Sequence, residues 1–258
     1  MGGRTPQTQT TLLISQNKFT CHALSPNSLP LWFSILKQSP KFDIASNIAY
    51  EDNHFLIVNK PSGVLVQGDH TGDMPLSEMA KLFLKERDHK PGNVFCGVTH
   101  RIDRPVSGLV VLAKTSKGLS KMNELFREDG LTKTYMALIN GCPEQNKATL
   151  VHYLRKNAKT LKADVFDKPV ANAKLSELAY EVVEQRMHQT LIKVWPITGR
   201  FHQIRAQLSA FGFPIVGDIK YGAPQALKNK SIALHAHALS FMHPIKLTPL
   251  EVSCQPPF

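Results

Sequence analysis

Acidic residues are scarce in this chain, and its first 40 residues contain none. Against 31 lysines and arginines the 258-residue sequence sets only 20 aspartates and glutamates, a formal net charge of +11. Such a surface favours a polyanionic partner. Cysteine is sparse as well. The four, at 21, 96, 142 and 254, have neither CxxC nor zinc-knuckle spacing. A chain of this length needs no disulfide staples, so reduced thiols in a cytosol-like compartment are expected. No apolar run approaches the ~20 residues that cross a bilayer, and the most apolar early stretch, LPLWFSILK, is far too short. Neither a Walker loop nor a GxGxxG turn is present, which disfavours a nucleotide cofactor.

Residues 1–40 carry Arg4, Lys18 and Lys37 among many threonines, glutamines and serines. An acid-poor leader is one form of organellar presequence, but a single arginine is a weak signal for one. The expectation is a poorly patterned extension ahead of one domain over 41–258, in a cytoplasmic protein, with organellar targeting as the alternative.

Beyond residue 40 the sequence takes on the texture of ordered protein. FLIVNK (55–60) predicts a strand ended by PSG. PLSEMAKLFLKERDHKPG predicts a helix with Met79, Leu82 and Phe83 on one face and Pro91-Gly92 as its stop. GLVVLAKT reads as a buried strand. SKGLSKMNELFRE reads as a helix with Leu119, Met122 and Phe126 inward and Ser116 as its cap. TKTYMALIN, KLSELAYEVVEQ, HQTLIKVWPI and SIALHAHALSFMHP read as strands. RFHQIRAQLSAFG predicts a helix with Ile204, Leu208 and Phe211 on one face, Arg205 and Ser209 on another, and Gly212 closing it. Short strands interleaved with three or four helices lack the regular alternation of a doubly wound sheet. They predict an α+β fold around a mixed, largely antiparallel sheet.

Several residues stand out chemically. HRIDRPVSGLVV places Asp103 between Arg101 and Arg104 in a loop punctuated by Pro105 and Gly108, just before a strand. It is either a loop carboxylate paired with a neighbouring arginine or a nucleophile at a strand mouth. A carboxyl group needs no base for the second task, because its ordinary pKa is about 4. Arg200 falls in the opening turn expected of the TGRFHQIR helix, where the helix dipole gives a cation nothing. Its guanidinium is expected to serve a phosphate or a carboxylate instead. Alternation puts Lys133, Tyr135 and Ala137 on one strand face, so Tyr135 is a stacking candidate or an ordinary sheet tyrosine. Residues 147–174 hold seven lysines and arginines against two aspartates. They read as a basic arm or strand pair able to follow a phosphate backbone, with Lys156, Lys159 and Lys162 as its contacts. Histidines 100, 235, 237 and 243 lack convincing ligand partners, so no metal is expected.

IVNKPSGVLV, HRIDRPVSGLVVLAKT, KTYMALI, TGRFHQIRAQL, FGFPIVGDIKYG and LHAHALSFMHP, in this order, cover about residues 45 to 247. By these motifs the chain resembles the RluA-type ribosomal RNA pseudouridine synthase family. The resemblance implies a bifurcated, largely antiparallel sheet flanked by helices, conversion of uridine to pseudouridine in RNA, and no cofactor. It assigns Asp103 as the catalytic aspartate, Tyr135 as the active-site tyrosine and Arg200 as the basic partner of the aspartate. It gives Arg101 a part in displacing the target nucleotide, and makes His202 and Gln203 supports of the site. His100, Arg104 and Arg205, in the same motifs, are further substrate-contacting candidates. Structured RNA is the implied partner, ribosomal RNA first and transfer RNA second, acted on by a monomer with no obligate protein partner. The family's usual leucine and threonine are replaced here by Ile102 and Val106, the second with loss of a hydroxyl. Two rival readings are a non-catalytic RNA-binding or ribosome-assembly protein on this fold, and a metal-assisted phosphoesterase using the scattered histidines and Asp218.

Overall fold

A computed structural model describes residues 42–258; the extension expected at 1–40 lies outside the described residues. Eleven strands and three helices succeed one another as β1 (Ile48–Glu51), β2 (Phe55–Lys60), α1 (Leu76–Arg87), β3 (Gly97–Val98), β4 (Ser107–Ala113), α2 (Ser116–Arg127), β5 (Leu131–Asn140), β6 (Lys147–Asn157), β7 (Lys162–Phe166), β8 (Lys174–Gln185), β9 (Gln189–Pro196), α3 (Gln203–Ala210), β10 (Leu234–Met242) and β11 (Pro249–Ser253). All the strands join one sheet, with β1-β2-β4-β10-β5-β9-β8-β6-β7 as its main order. Every pairing is antiparallel except β4 with β10.

That one parallel contact is where the sheet forks. Ser107 and Gly108 of β4 pair with His235 and Ala236 of β10 and no further. Beyond them β4 takes β3 as its neighbour and β10 takes β11. The contact demands glycine. Gly108 has φ +115°, and a Cβ there would overlap the Ala236 backbone. Both features exclude an L side chain.

The sheet's centre is covered on both sides, which explains unbroken apolar runs such as FLIV and GLVVLA. Leu56, Val58, Val110 and Leu112 enter one core with Leu76, Ala80 and Leu84 of α1. Phe55, Ile57, Leu109, Val111 and Ala113 enter the other with Met122 of α2, joined by Leu119 and Phe126. The inward face of α1 differs from the expected one. Met79 and Phe83 pack against the core, but Leu82 is 50% exposed. The cap of α2 is Thr115, whose hydroxyl accepts from the Gly118 amide, and Ser116 is the first helical residue. No helix among the described residues is long and apolar enough to cross a membrane.

A Gly108→Ala variant is expected to lose about 3 kcal/mol or more of stability, from the clash and the backbone strain together. Urea midpoints for the two proteins measure it.

Candidate active site

Asp103 sits in the loop that enters β4, and the reason it stays there lies beneath it. Lys60, at the end of β2, is fully buried. Its ammonium donates to the carbonyls of Val106 at 2.7 Å, Val64 at 2.8 Å and Pro61 at 3.0 Å, with Arg104 O at 3.4 Å. Burial pushes its pKa down to about 7. The charge of Asp103 acts in the opposite direction. Two of these acceptors belong to the Asp103 loop. Ile102 and Val106, on either side, are buried apolar anchors. Val106, at 2% exposure, sits in the core cluster, where a hydroxyl would need a partner.

The basic partner of Asp103 is Arg205, not Arg200. Arg205 Nη1 donates to Asp103 Oδ2 at 2.8 Å. Its Nε and Nη2 form a bidentate pair with Asp218 at 2.7 and 2.8 Å. Arg200 lies ahead of α3 rather than in its first turn, and its Nε donates to Leu175 O at 3.1 Å. The helix starts later than expected because Gln203 ties the preceding loop down. Its Oε1 accepts from the Thr198 hydroxyl and the Arg200 amide, and its Nε2 donates to Glu177 O. Gln203 is thus a support, as expected. Burial works against the Arg205 charge, but the hydrogen bonds and charge of Asp218, with the charge of Asp103, push its pKa above the ordinary value.

His202 Nε2 lies 3.5 Å from the same Asp103 oxygen. Its Nδ1 is 2.9 Å from the Tyr221 hydroxyl, which accepts from the Ala163 amide at 2.7 Å. One tautomer fits all three contacts: Tyr221 donates to Nδ1, and the ring proton on Nε2 faces the carboxylate. Burial pushes the His202 pKa down to about 4, against the pull of Asp103. Tyr135 packs half-buried against the core of β5. Burial, and then the Asp103 charge, raise its pKa above the ordinary phenol value, so its hydroxyl keeps its proton at neutral pH.

Other candidates fall elsewhere. His100 is turned into the sheet, where its Nε2 accepts from the Val111 amide and its ring packs on Phe126. It holds β4 rather than substrate. Arg104 is anchored by Gly63 O and Asp73. Arg101 is exposed on the loop before Asp103. Lys156, Lys159 and Lys162 are exposed on the β6–β7 hairpin, which packs on α3 through Leu154, Ala163, Ala206 and Tyr221. His235 bonds Ser107 and contacts Cys254, and His237 bonds the Cys254 carbonyl. No group of three metal-type ligands gathers among the described residues. A cavity of about 760 Å³ lined by Asn59, Lys60, Ser107, Asn229 and His235 does not include Asp103. Lys60 and Tyr221 carry no role in the sequence reading, and Asp218 appears there only in the phosphoesterase alternative. All three lie in the motifs IVNKPSGVLV and FGFPIVGDIKYG.

A protein-family profile described as RNA pseudouridylate synthase matches residues 54–210. The chain is 34% identical over 223 residues to the ribosomal large subunit pseudouridine synthase C of Buchnera aphidicola subsp. Baizongia pistaciae, covering 81% of this chain and 67% of that protein. The Escherichia coli K12 protein of the same name is 32% identical over 209 residues, covering 78% of this chain and 63% of its own length. The chain thus spans about two thirds of these relatives. Among solved structures, human RNA pseudouridylate synthase domain containing 1 superposes with a TM-score of 0.67 at 27% identity, covering 82% of this chain and 84% of that one. Human RNA pseudouridylate synthase domain containing 4 gives a TM-score of 0.70 at 24% identity, covering 83% and 90%, a likeness of fold.

The depressed His202 pKa has a consequence for stability. Between pH 6.5 and 4 the unfolded chain takes up a proton here that the folded protein refuses, so stability is fully present above 6.5 and falls as pH falls through this window. His100 and His235, both held near 4 by burial, add to the fall. His202→Gln removes one of these contributions. Urea midpoints between pH 7 and 4 are expected to decline less steeply in that variant.

Proposed function

The chain belongs to the RNA pseudouridylate synthase family, and we propose that it isomerises uridine to pseudouridine in structured RNA with Asp103 as nucleophile. The observation that carries the reading is the partly exposed Asp103 carboxylate held by a buried guanidinium. Arg205 and His202 both address Oδ2, which supports Oδ1 as the oxygen that meets the substrate. The reaction breaks the bond from N1 of uracil to C1′ and forms one from C5 to C1′. The C5 proton leaves and N1 is protonated, so no oxidant or energy source is consumed. Attack at the ribose and a route through a glycal both begin from the same carboxylate.

The target base must leave its stack, at a cost of a few kcal/mol. Arg101, exposed beside Asp103, is the group proposed to fill the vacancy or hold a phosphate. Tyr135 offers a ring for the freed uracil, whose confinement favours recapture at C5. Arg205 contributes preorganised charge in place of the proposed Arg200; Arg200 is left for phosphate. The relatives named as ribosomal large subunit synthases favour ribosomal RNA, with transfer RNA the alternative. A monomer in the cytoplasm is the proposed working form. A non-catalytic RNA-binding role would not call for a buried Arg205–Asp218 pair aimed at a half-exposed carboxylate.

Asp103→Asn removes the nucleophile's charge with little change in size. It is expected to abolish tritium release from RNA labelled at uridine C5 while leaving RNA affinity within about threefold. Normal release would refute the assignment. Replacing Lys156, Lys159 and Lys162 with alanine is expected to weaken RNA binding and flatten its salt dependence by up to about three counterions. An unchanged slope would take the hairpin out of the interface.

A further inference from the structure

Phe201 is an aromatic side chain left 38% exposed in the loop between β9 and α3. Its position is set by its neighbour. His202 adopts the left-handed conformation, φ 52°, at the start of α3. The two rings stack at 3.8 Å between centroids and 20° between planes. The same His202 ring reaches Asp103 Oδ2 at 3.5 Å with Nε2. On the hairpin side, the Lys156 ammonium stands 5.0 Å from the Phe201 centroid. Because His202 backs one face of the phenyl ring, the ammonium covers the other.

We propose that Phe201 is a stacking platform for a nucleobase flanking the target uridine, with Lys156 as the phosphate contact of that nucleotide. The proposal rests on the RNA-modifying reading and adds a binding subsite to it. The occupant is a neighbour and not the target itself, since the His202 ring stands between the outer face of Phe201 and the Asp103 carboxylate. An exposed phenyl ring with the Lys156 ammonium over it matches a flat apolar surface carried on an anionic chain, which describes a nucleotide in single-stranded RNA. The ammonium occupies the face through a cation–π contact, which is weak where solvent reaches it. A base entering that face replaces it, and the flexible lysine stem lets the charge follow the phosphate. A phenyl face makes no hydrogen bond to a base edge, so the platform supplies affinity and alignment more than sequence choice.

The test compares an oligouridylate of about twelve nucleotides with the same ribose-phosphate chain lacking its bases, by fluorescence anisotropy at one salt concentration. The wild-type protein is expected to prefer the oligouridylate. Phe201→Ala should bind it roughly tenfold more weakly and bind the abasic chain unchanged. Phe201→Trp should restore binding, and its added fluorescence should be quenched by the oligouridylate but not by the abasic chain. Equal losses on both chains, or no loss on either, overturn the platform. A wild-type protein that makes pseudouridine but is blind to the bases here loses the platform alone. One that binds neither chain and makes no pseudouridine in structured RNA loses the RNA reading with it.

Discussion

The Asp103 site depends on one buried guanidinium. Arg205 is 6% exposed and answers two carboxylates at once, Asp218 through two nitrogens and Asp103 through the third. Its planar fork is what makes this arrangement available; an ammonium has no fixed directions with which to serve both. Asp218 is itself 1% exposed, so it needs this partner as much as Asp103 does. Burying such a pair gains little net stability, since desolvation offsets attraction. What it provides is direction: a helix emerging from one half of the sheet fixes a carboxylate on a loop belonging to the other half.

The fork in the sheet explains why such a bridge is needed. β4 and β10 touch over two residues at Gly108 and then separate. The loop entering β4 therefore arrives at the point where backbone pairing is least extensive. Lys60 compensates by gathering the Arg104 and Val106 carbonyls of this loop together with those of Pro61 and Val64 in the segment after β2. Backbone ties complete the support, with the Gly63 amide donating to Arg104 O and the Ile232 amide to Pro105 O. An acid needed at the surface is thus carried on a loop whose own backbone is held nearly as firmly as a strand.

Much of this was legible in the residues and some was not, for physical reasons. The strand at 131–140 and the unbroken run at 109–113, a strand covered on both sides, were legible in composition, although burial along β5 does not alternate. Helix faces were harder. Leu82 satisfies the periodicity of α1 yet faces solvent, because the neighbouring Leu76–Ala80–Leu84 stripe fits the sheet better. The pairing of Asp103 with Arg200 failed because the TGRFHQ segment forms a Gln203-locked loop, and the helix after it delivers Arg205 inward beside Ile204 and Leu208. A charged residue on the buried face of a helix is a stronger sign of a partner than one in its first turn, but which face is buried is decided only by packing. Lys60 was invisible for the same reason, since backbone carbonyls gathered around an ammonium leave no signature in sequence.

The β6–β7 hairpin is tied to the Asp103 site through side chains. The β6–β7 hairpin carries exposed lysines, yet the Ala163 amide on its inner side bonds the Tyr221 hydroxyl, which bonds His202, which faces Asp103. Leu154 and Ala163 pack with Ala206 and Tyr221, so the hairpin cannot shift without disturbing the helix that holds Arg205. A polyanion pulling on those lysines therefore pulls on the same side chains that orient the carboxylate. Neutral His202 suits this position. A second cation beside Arg205 would compete for Oδ2, whereas an uncharged ring orients that oxygen and presents its outer face to Phe201. The basic hairpin and the single acid of the β4 loop are two ends of one connected set of contacts.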